Sequence, residues 1–70
     1  MKNIILHGHP AIEMSFHKIE SDEVGAYCHV TIDNLDKGTI ESSFILTPYL
    51  AEEIISNLKE FLKQANEMYS

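Results

Sequence analysis

The residues of this chain that could carry chemistry are its four histidines and the carboxylates near them in the sequence. His7 and His9 lie two residues apart, and Glu13 and Asp33 occupy polar positions further along. Two imidazoles and two carboxylates can bind Zn²⁺ or a non-haem metal. The H-x-H spacing lacks the paired spacings that define metal motifs. We therefore expect no metal or other cofactor, with these four residues as the only candidates.

A serine–histidine pair can also be drawn, because Ser15 and Ser43 lie near His17 and His29 in the predicted sheet. Neither a nucleophile elbow nor a glycine loop that could bind an oxyanion accompanies the pair. Cys28 falls at a predicted inward position, where a thiol is usually inert. We expect the protein not to be an enzyme.

The elements that position these residues follow from a strict alternation of apolar and polar side chains, which indicates strands with one buried face. The apolar residues fall at even positions: Ile4, Leu6, Ile12, Met14, Phe16, Cys28, Val30, Ile32, Ile40, Phe44 and Leu46. Turn signals divide them into strands at about 2–8, 12–20, 26–33 and 39–47. The short connections favour an antiparallel meander.

A single long helix is predicted from about residue 48 to 69, with Thr47 as N-cap and Pro48 at the first helical position. Its apolar stripe consists of Leu50, Ile54, Leu58, Phe61, Ala65 and Met68. Packing this stripe on the apolar sheet face gives one small α+β domain over residues 1–70. The predicted fold is a four-stranded antiparallel sheet covered on one face by the C-terminal helix (ββββα).

Register predicts which polar residues meet on the exposed face. Pairing Leu6 with Met14 would place His7 opposite Glu13, with Asp33 next in the row. This row is the candidate metal site. The alternative interpretation is that the histidine relieves repulsion between the two carboxylates.

Pairing Phe16 with Val30 would place His17 opposite His29, and three apolar side chains would cluster around these histidines on the polar face. Contiguous exposed apolar residues usually mark contacts, and tyrosine is enriched in interfaces. A pair of adjacent histidines could also make such a contact sensitive to pH. The predicted protein interface consists of Ile19, Tyr27, Ile45, His17 and His29.

A second candidate interface lies on the helix, where Ile55, Leu62 and Tyr69 recur every seven residues and widen the apolar stripe. They form either a broad core-facing surface or a contact with a second subunit. Seventy residues bury only about 60 % of their unfolded surface, and Cys28 has no disulfide partner in the chain. We therefore expect self-association, with a homodimer as the default.

The charge and composition limit the partners and the compartment. Five Lys and no Arg oppose eleven Asp and Glu, which gives a net charge of −6 and disfavours direct nucleic-acid binding. We expect neither a signal peptide nor a membrane span, because no apolar run in the sequence is long enough for either. The single cysteine fits a reducing cytoplasm. The abundance of Ile, Glu, Lys and Asn indicates a bacterial or phage origin.

Four strands followed by a helix that begins Leu46-Thr47-Pro48 resemble the PC4-like single-stranded-DNA-binding fold. The resemblance covers about the last 25 residues and the strand count. It implies a dimer, and a sheet face that binds single-stranded nucleic acid. In this chain Lys2, Lys18 and Lys37 would bind phosphates, and Tyr27 would stack on bases.

The function predicted first is a small acidic, non-enzymatic protein-binding module that acts as an adaptor, regulator or inhibitor of a larger protein. The first alternative is a PC4-like single-stranded nucleic-acid-binding protein. The second alternative is a metal-binding protein that uses the N-terminal histidines.

Overall fold

The computed structural model describes residues 1–69 and has the predicted ββββα order. Its elements are β1 (Ile4–Leu6), β2 (Ile12–Ser21), β3 (Ala26–Asn34), β4 (Thr39–Leu46) and α1 (Pro48–Tyr69). The strands form one antiparallel sheet in the order β1-β2-β3-β4. The predicted α+β class, the ββββα order and the meander are therefore confirmed, whereas most of the helix stripe that was expected to pack on the sheet is exposed. The expected domain ran to Ser70, which lies outside the described residues.

Side-chain hydrogen bonds shape the two long hairpins. In the β3–β4 turn, Lys37 N–H donates to Asn34 Oδ1 at 3.0 Å, and Gly38 N–H donates to the Asn34 carbonyl at 2.8 Å. Gly38 has φ +68°, a conformation that glycine adopts without steric cost. In the β2–β3 turn, Asp22 Oδ1 accepts from Val24 N–H at 2.8 Å. In both turns the hydrogen bonds are made by residues of the turn itself, so each turn joins two consecutive strands without a long loop.

The apolar side chains of the sheet share one side, hereafter the inner face; the opposite side is the outer face. The residues that line the inner face include Met14, Phe16, Cys28, Val30, Ile32, Phe44 and Leu46. Among the apolar residues of this face that the structure describes, only Cys28 and Val30 are buried. The hydrophobic core of the chain is therefore small.

The first strand pairs in a different register from the one predicted. Leu6 lies opposite Ile12, whereas the sequence analysis placed it opposite Met14. The side chain of Asn3 accepts the Phe16 N–H at 3.0 Å, so backbone pairing cannot extend to Phe16 as the predicted register requires. For the same reason β1 begins later than expected.

A bulge interrupts the pairing of β2 with β3. Phe16 pairs with Val30 as predicted, but the next pair is Ile19 with Cys28. Two residues of β2 therefore oppose one residue of β3, and the alternation of β2 shifts by one beyond this point. Ile19 consequently lies on the inner face.

A second bulge lies in β4. Ser42 pairs with Ile32, but the next pair is Ile40 with Asp33, so Glu41 is the extra residue. Ile40 is thereby moved to the outer face. The prediction that it shares the apolar face is wrong, because alternation along the sequence does not reveal an inserted residue.

The helix begins as predicted. Thr47 Oγ1 accepts the Leu50 N–H at 3.2 Å, and Pro48 occupies the first helical position, where a missing N–H has no cost. Nowhere in residues 1–69 does the helical sequence offer an apolar stretch of membrane-spanning length.

Most of the apolar stripe of α1 is exposed, and of its six residues only Leu50 and Ala65 are half-buried. Leu50 and Ala51 are half-buried, and no residue of the helix is fully buried. Exposure then rises along the stripe, from 36 % at Ile54 to 55 % at Leu58 and 64 % at Phe61. The helix thus leaves most of its apolar surface in contact with solvent.

The overall dimensions agree with this exposure. The chain measures 46 × 33 × 17 Å and has a radius of gyration of 14.8 Å, whereas a compact domain of this length has about 11 Å. Its accessible surface is 5934 Å², against about 4,450 Å² for a folded monomer of 8.0 kDa. A single chain therefore exposes about 1,500 Å² more than a compact monomer does.

Candidate functional site

Four of the five residues predicted as a protein interface lie on the outer face. Tyr27 pairs with Glu20, and His29 pairs with Ile45. His17 lies on the same face, because its ring is within hydrogen-bond distance of a neighbouring outer-face residue on β3. The structure therefore brings together a tyrosine, an isoleucine and two histidines on one side of the sheet.

Ile19 is the exception among the five. The bulge in β2 places it opposite Cys28 on the inner face, so its predicted position beside Tyr27 is wrong. A strand without the bulge would have kept its odd-numbered residues on the outer face up to the turn. Ile19 belongs to the exposed rim of the apolar face instead.

The two histidines are close but not directly opposed as predicted. The bulge gives His29 two opposing residues, His17 and Lys18. His17 Nε2 shares a hydrogen bond of 3.1 Å with Thr31 Oγ1. The backbone carbonyl of His17 accepts from the thiol of Cys28 at 3.0 Å, which ties the bulge to β3. The imidazole of His17 is therefore held toward Thr31.

A shallow groove of about 640 Å³ adjoins the outer-face patch, where the β2–β3 turn meets the start of the helix. Its lining is mostly apolar and includes Tyr27 and Ile45 together with Val24, Pro48 and Tyr49. The last three residues were missed by the sequence analysis. The available signal was Val24, an aliphatic residue at the tip of an otherwise polar turn, where no core can cover it.

The rim of the groove is acidic. The hydroxyl of Tyr27 donates a hydrogen bond of 3.0 Å to Glu20 Oε2. This hydrogen bond, followed by the charge of Glu20, partial desolvation and the charge of Asp22, raises the pKa of Tyr27 above its ordinary value of 10.0. The phenol is therefore neutral and fixed in direction at neutral pH.

The four candidate metal ligands are not brought together. Ile5, not His7, lies opposite Glu13, because the register of β1 differs from the one predicted. His7 and His9 instead line a small cavity of about 280 Å³ in the β1–β2 connection. Within residues 1–69 no group of three or more histidine, cysteine or carboxylate side chains has an arrangement that could hold a metal ion.

Glu13 and Asp33 do lie directly opposite each other on β2 and β3, in the predicted register. Asp33 Oδ2 accepts from Ser15 Oγ at 3.4 Å, while Asp33 Oδ1 is buried and has no hydrogen-bond partner. Glu13 Oε2 accepts from Asn3 Nδ2 at 3.5 Å. Two carboxylates opposed in this way repel each other, so this row lowers the stability of the sheet.

The described hydrogen bonds do not pair Ser15 with His17, as the sequence suggested. The hydroxyl of Ser15 is directed to Asp33, and the ring of His17 is directed to Thr31. Cys28 is buried, and its thiol donates to a backbone carbonyl.

The second candidate interface is exposed to solvent. Ile55, Leu62 and Tyr69 are exposed, and so are the neighbouring stripe residues Leu58 and Phe61. Together they form an apolar strip along the distal half of α1 (residues 55–69). An amphipathic helix normally buries such a strip against another element.

Comparison of the chain with protein-family models, with curated proteins and with solved structures found no match.

Proposed function

We propose that this chain is a small acidic, non-enzymatic protein-binding module that self-associates as a homodimer and acts as an adaptor, regulator or inhibitor of a larger protein. The observation that carries the proposal is the accessible surface of 5934 Å², which exceeds that of a compact monomer by about 1,500 Å². Much of the excess lies on apolar side chains, and exposed apolar patches of this extent mark interaction sites.

The two apolar surfaces suit different partners. The strip on the distal half of α1 is long and apolar, which is typical of permanent interfaces between identical subunits. The groove beside Tyr27 is smaller, contains two tyrosines and has an acidic rim, which is typical of a contact with a separate protein. We therefore assign self-association to the helix and partner binding to the groove.

The charge of the outer face favours a protein over a nucleic acid as partner. Glu13, Glu20 and Asp33 lie along it, and the chain has no Arg. Carboxylates repel phosphates, whereas binding to single strands depends on a cationic groove. We expect no change in the anisotropy of a fluorescent single-stranded oligonucleotide at low salt. Binding that weakens as salt is added would favour the PC4-like alternative instead.

The self-association is tested by light scattering after size exclusion, applied to the wild type and to Tyr27→Glu. We expect twice the chain mass of 8.0 kDa for both proteins, because Tyr27 lies in the groove and not on the helix. A wild-type monomer at all concentrations would contradict self-association. A dimer that Tyr27→Glu splits would place the subunit interface on the outer face.

The role of the groove is tested by co-purification of a tagged chain and two variants. Tyr49→Glu places a charge in the groove, and Glu is well tolerated in the first turn of a helix. We expect this variant to lose a protein that the wild type retains. Ser56→Glu adds the same charge to the polar face of α1 and should retain it. Equal retention by both variants would exclude the groove as the binding site.

A further inference from the structure

We propose that the distal half of α1 from one chain lies across the inner sheet face of a second copy, and that the second copy returns the same contact. The two chains then exchange their helices about a two-fold axis. The inference rests on the proposed self-association and specifies which surfaces form the dimer.

The chain leaves two apolar surfaces uncovered, one on the helix and one on the sheet. One is the strip on α1, where Phe61 is 64 % exposed. The other is the β1 side of the inner face, where Ile4 is 58 % and Leu6 is 63 % exposed although they pair with Met14 and Ile12. A helix with an apolar stripe and a sheet with an apolar face are the two layers of one α+β core.

The start of α1 follows β4, which is one edge of the sheet, while β1 is the opposite edge. Leu50 and Ala51 near this start are half-buried, and the exposed fraction then rises from 36 % at Ile54 to 64 % at Phe61. Residues 55–69 span about 22 Å, and three strand spacings span about 14 Å. The distal half is long enough to cross the sheet of a neighbouring chain.

The area involved agrees with a dimer. An excess of about 1,500 Å² per chain gives about 3,000 Å² for two, which lies in the range of obligate homodimers. A different protein could cover the helix strip or the sheet face. To cover both surfaces, it would need an apolar sheet for the helix and an apolar helix for the sheet. A second copy supplies a helix for the sheet and a sheet for the helix, so two-fold symmetry leaves neither uncovered.

The proposal is tested with one charge on each side of the predicted contact. Phe61→Glu alters the helix strip, and Ile4→Lys alters the inner face. Each substitution occurs twice in a two-fold dimer, so we expect each to raise the dimer dissociation constant about 1,000-fold, as measured by sedimentation equilibrium. Ser56→Glu and Ile5→Lys are matched controls on the polar side of α1 and the outer face of β1, and they should leave the constant within about threefold of wild type.

Mixing the two variants provides the decisive measurement, which remains valid even if each variant alone unfolds. A heterodimer of Phe61→Glu and Ile4→Lys contains one native contact and one contact in which Glu meets Lys. We expect the equimolar mixture to regain the wild-type mass and circular dichroism. Recovery can be this complete only if the helix of one chain meets the sheet of the other.

The outcomes separate this proposal from the broader one. A wild-type monomer contradicts self-association altogether. A wild-type dimer that Ile4→Lys leaves intact overturns the helix exchange and points to helix-to-helix or β4-edge packing instead. Loss of the dimer in Ile5→Lys, or failure of the mixture to recover, overturns the exchange as well.

Discussion

The hydroxyl of Tyr27 donates a 3.0 Å hydrogen bond to Glu20 across the β2–β3 ladder. The two residues are direct cross-strand neighbours at the rim of the groove. This bond directs the hydroxyl of Tyr27 toward β2, so the ring lies along the outer face. A tyrosine side chain that this hydrogen bond already orients would lose less conformational entropy when a partner binds.

The raised pKa of Tyr27 predicts a stability loss in alkali. The neutral phenol is favoured in the fold, so the contribution of this hydrogen bond is fully present below the ordinary pKa of 10.0 and is lost as pH rises through the higher folded value. The difference between absorbance titrations of wild type and Tyr27→Phe isolates this phenol. We expect its midpoint above 10.0.

Glu20→Gln provides the control for this titration, because it keeps an acceptor and removes the charge. The variant should lower the midpoint toward the ordinary value. An unchanged midpoint would show that Glu20 does not set the pKa of Tyr27.

Asp33→Asn should stabilise the protein. The substitution removes one of two opposed carboxylates, and the new amide can donate to Glu13 while still accepting from Ser15. We expect a gain of about 0.5 kcal/mol in the free energy of unfolding, measured by urea denaturation. Glu23→Gln in the exposed turn is the matched control and should have no effect. A loss of stability in Asp33→Asn would mean that the carboxylate of Asp33 is needed.

Thr47→Ala should destabilise the start of α1. It removes the oxygen that accepts the Leu50 N–H, at a cost of about 1 kcal/mol. Thr47→Ser keeps that oxygen and should remain within a few tenths of a kcal/mol of wild type. Thermal melts followed by circular dichroism compare the two variants. Equal melting temperatures for Ala and Ser would show that the cap does not contribute.

Cys28 should resist a thiol reagent in the native protein. Its side chain is buried at the centre of the inner face and donates to the His17 carbonyl. We expect one reactive thiol per chain in denaturant, where the thiol is accessible, and slow reaction in its absence. Immediate reaction of the native protein would show that the inner face opens readily.

The sequence predicted the features that depend on local chemistry. Alternation identified the strands, turn signals separated them, and Thr47 with Pro48 marked the start of the helix. The pairs Phe16–Val30 and Glu13–Asp33 were also predicted correctly. Each of these features depends on neighbours in the chain or on a short hairpin, so a few residues determine it.

The features that were missed depend on more distant contacts. The bulge in β2 places Ile19 on the inner face, and the bulge in β4 places Ile40 on the outer face, each contrary to the prediction. An inserted residue leaves no periodic signal in the sequence that could identify it. The register of β1 is accompanied by a hydrogen bond from the Phe16 N–H to the Asn3 side chain, which alternation does not predict. The groove brings together Val24 and Tyr49, which are 25 residues apart, so only the folded chain reveals it.

The exposed distal half of α1 has a consequence for the abundance of the protein. If a second chain completes the core, folding and assembly are one equilibrium, and the folded fraction depends on how much protein is present. Newly made chains at low levels would stay open to proteases, while the same chains at higher levels would protect one another. The lifetime of the protein would then rise with its own concentration, and a small change in synthesis would produce a larger change in the amount of folded protein.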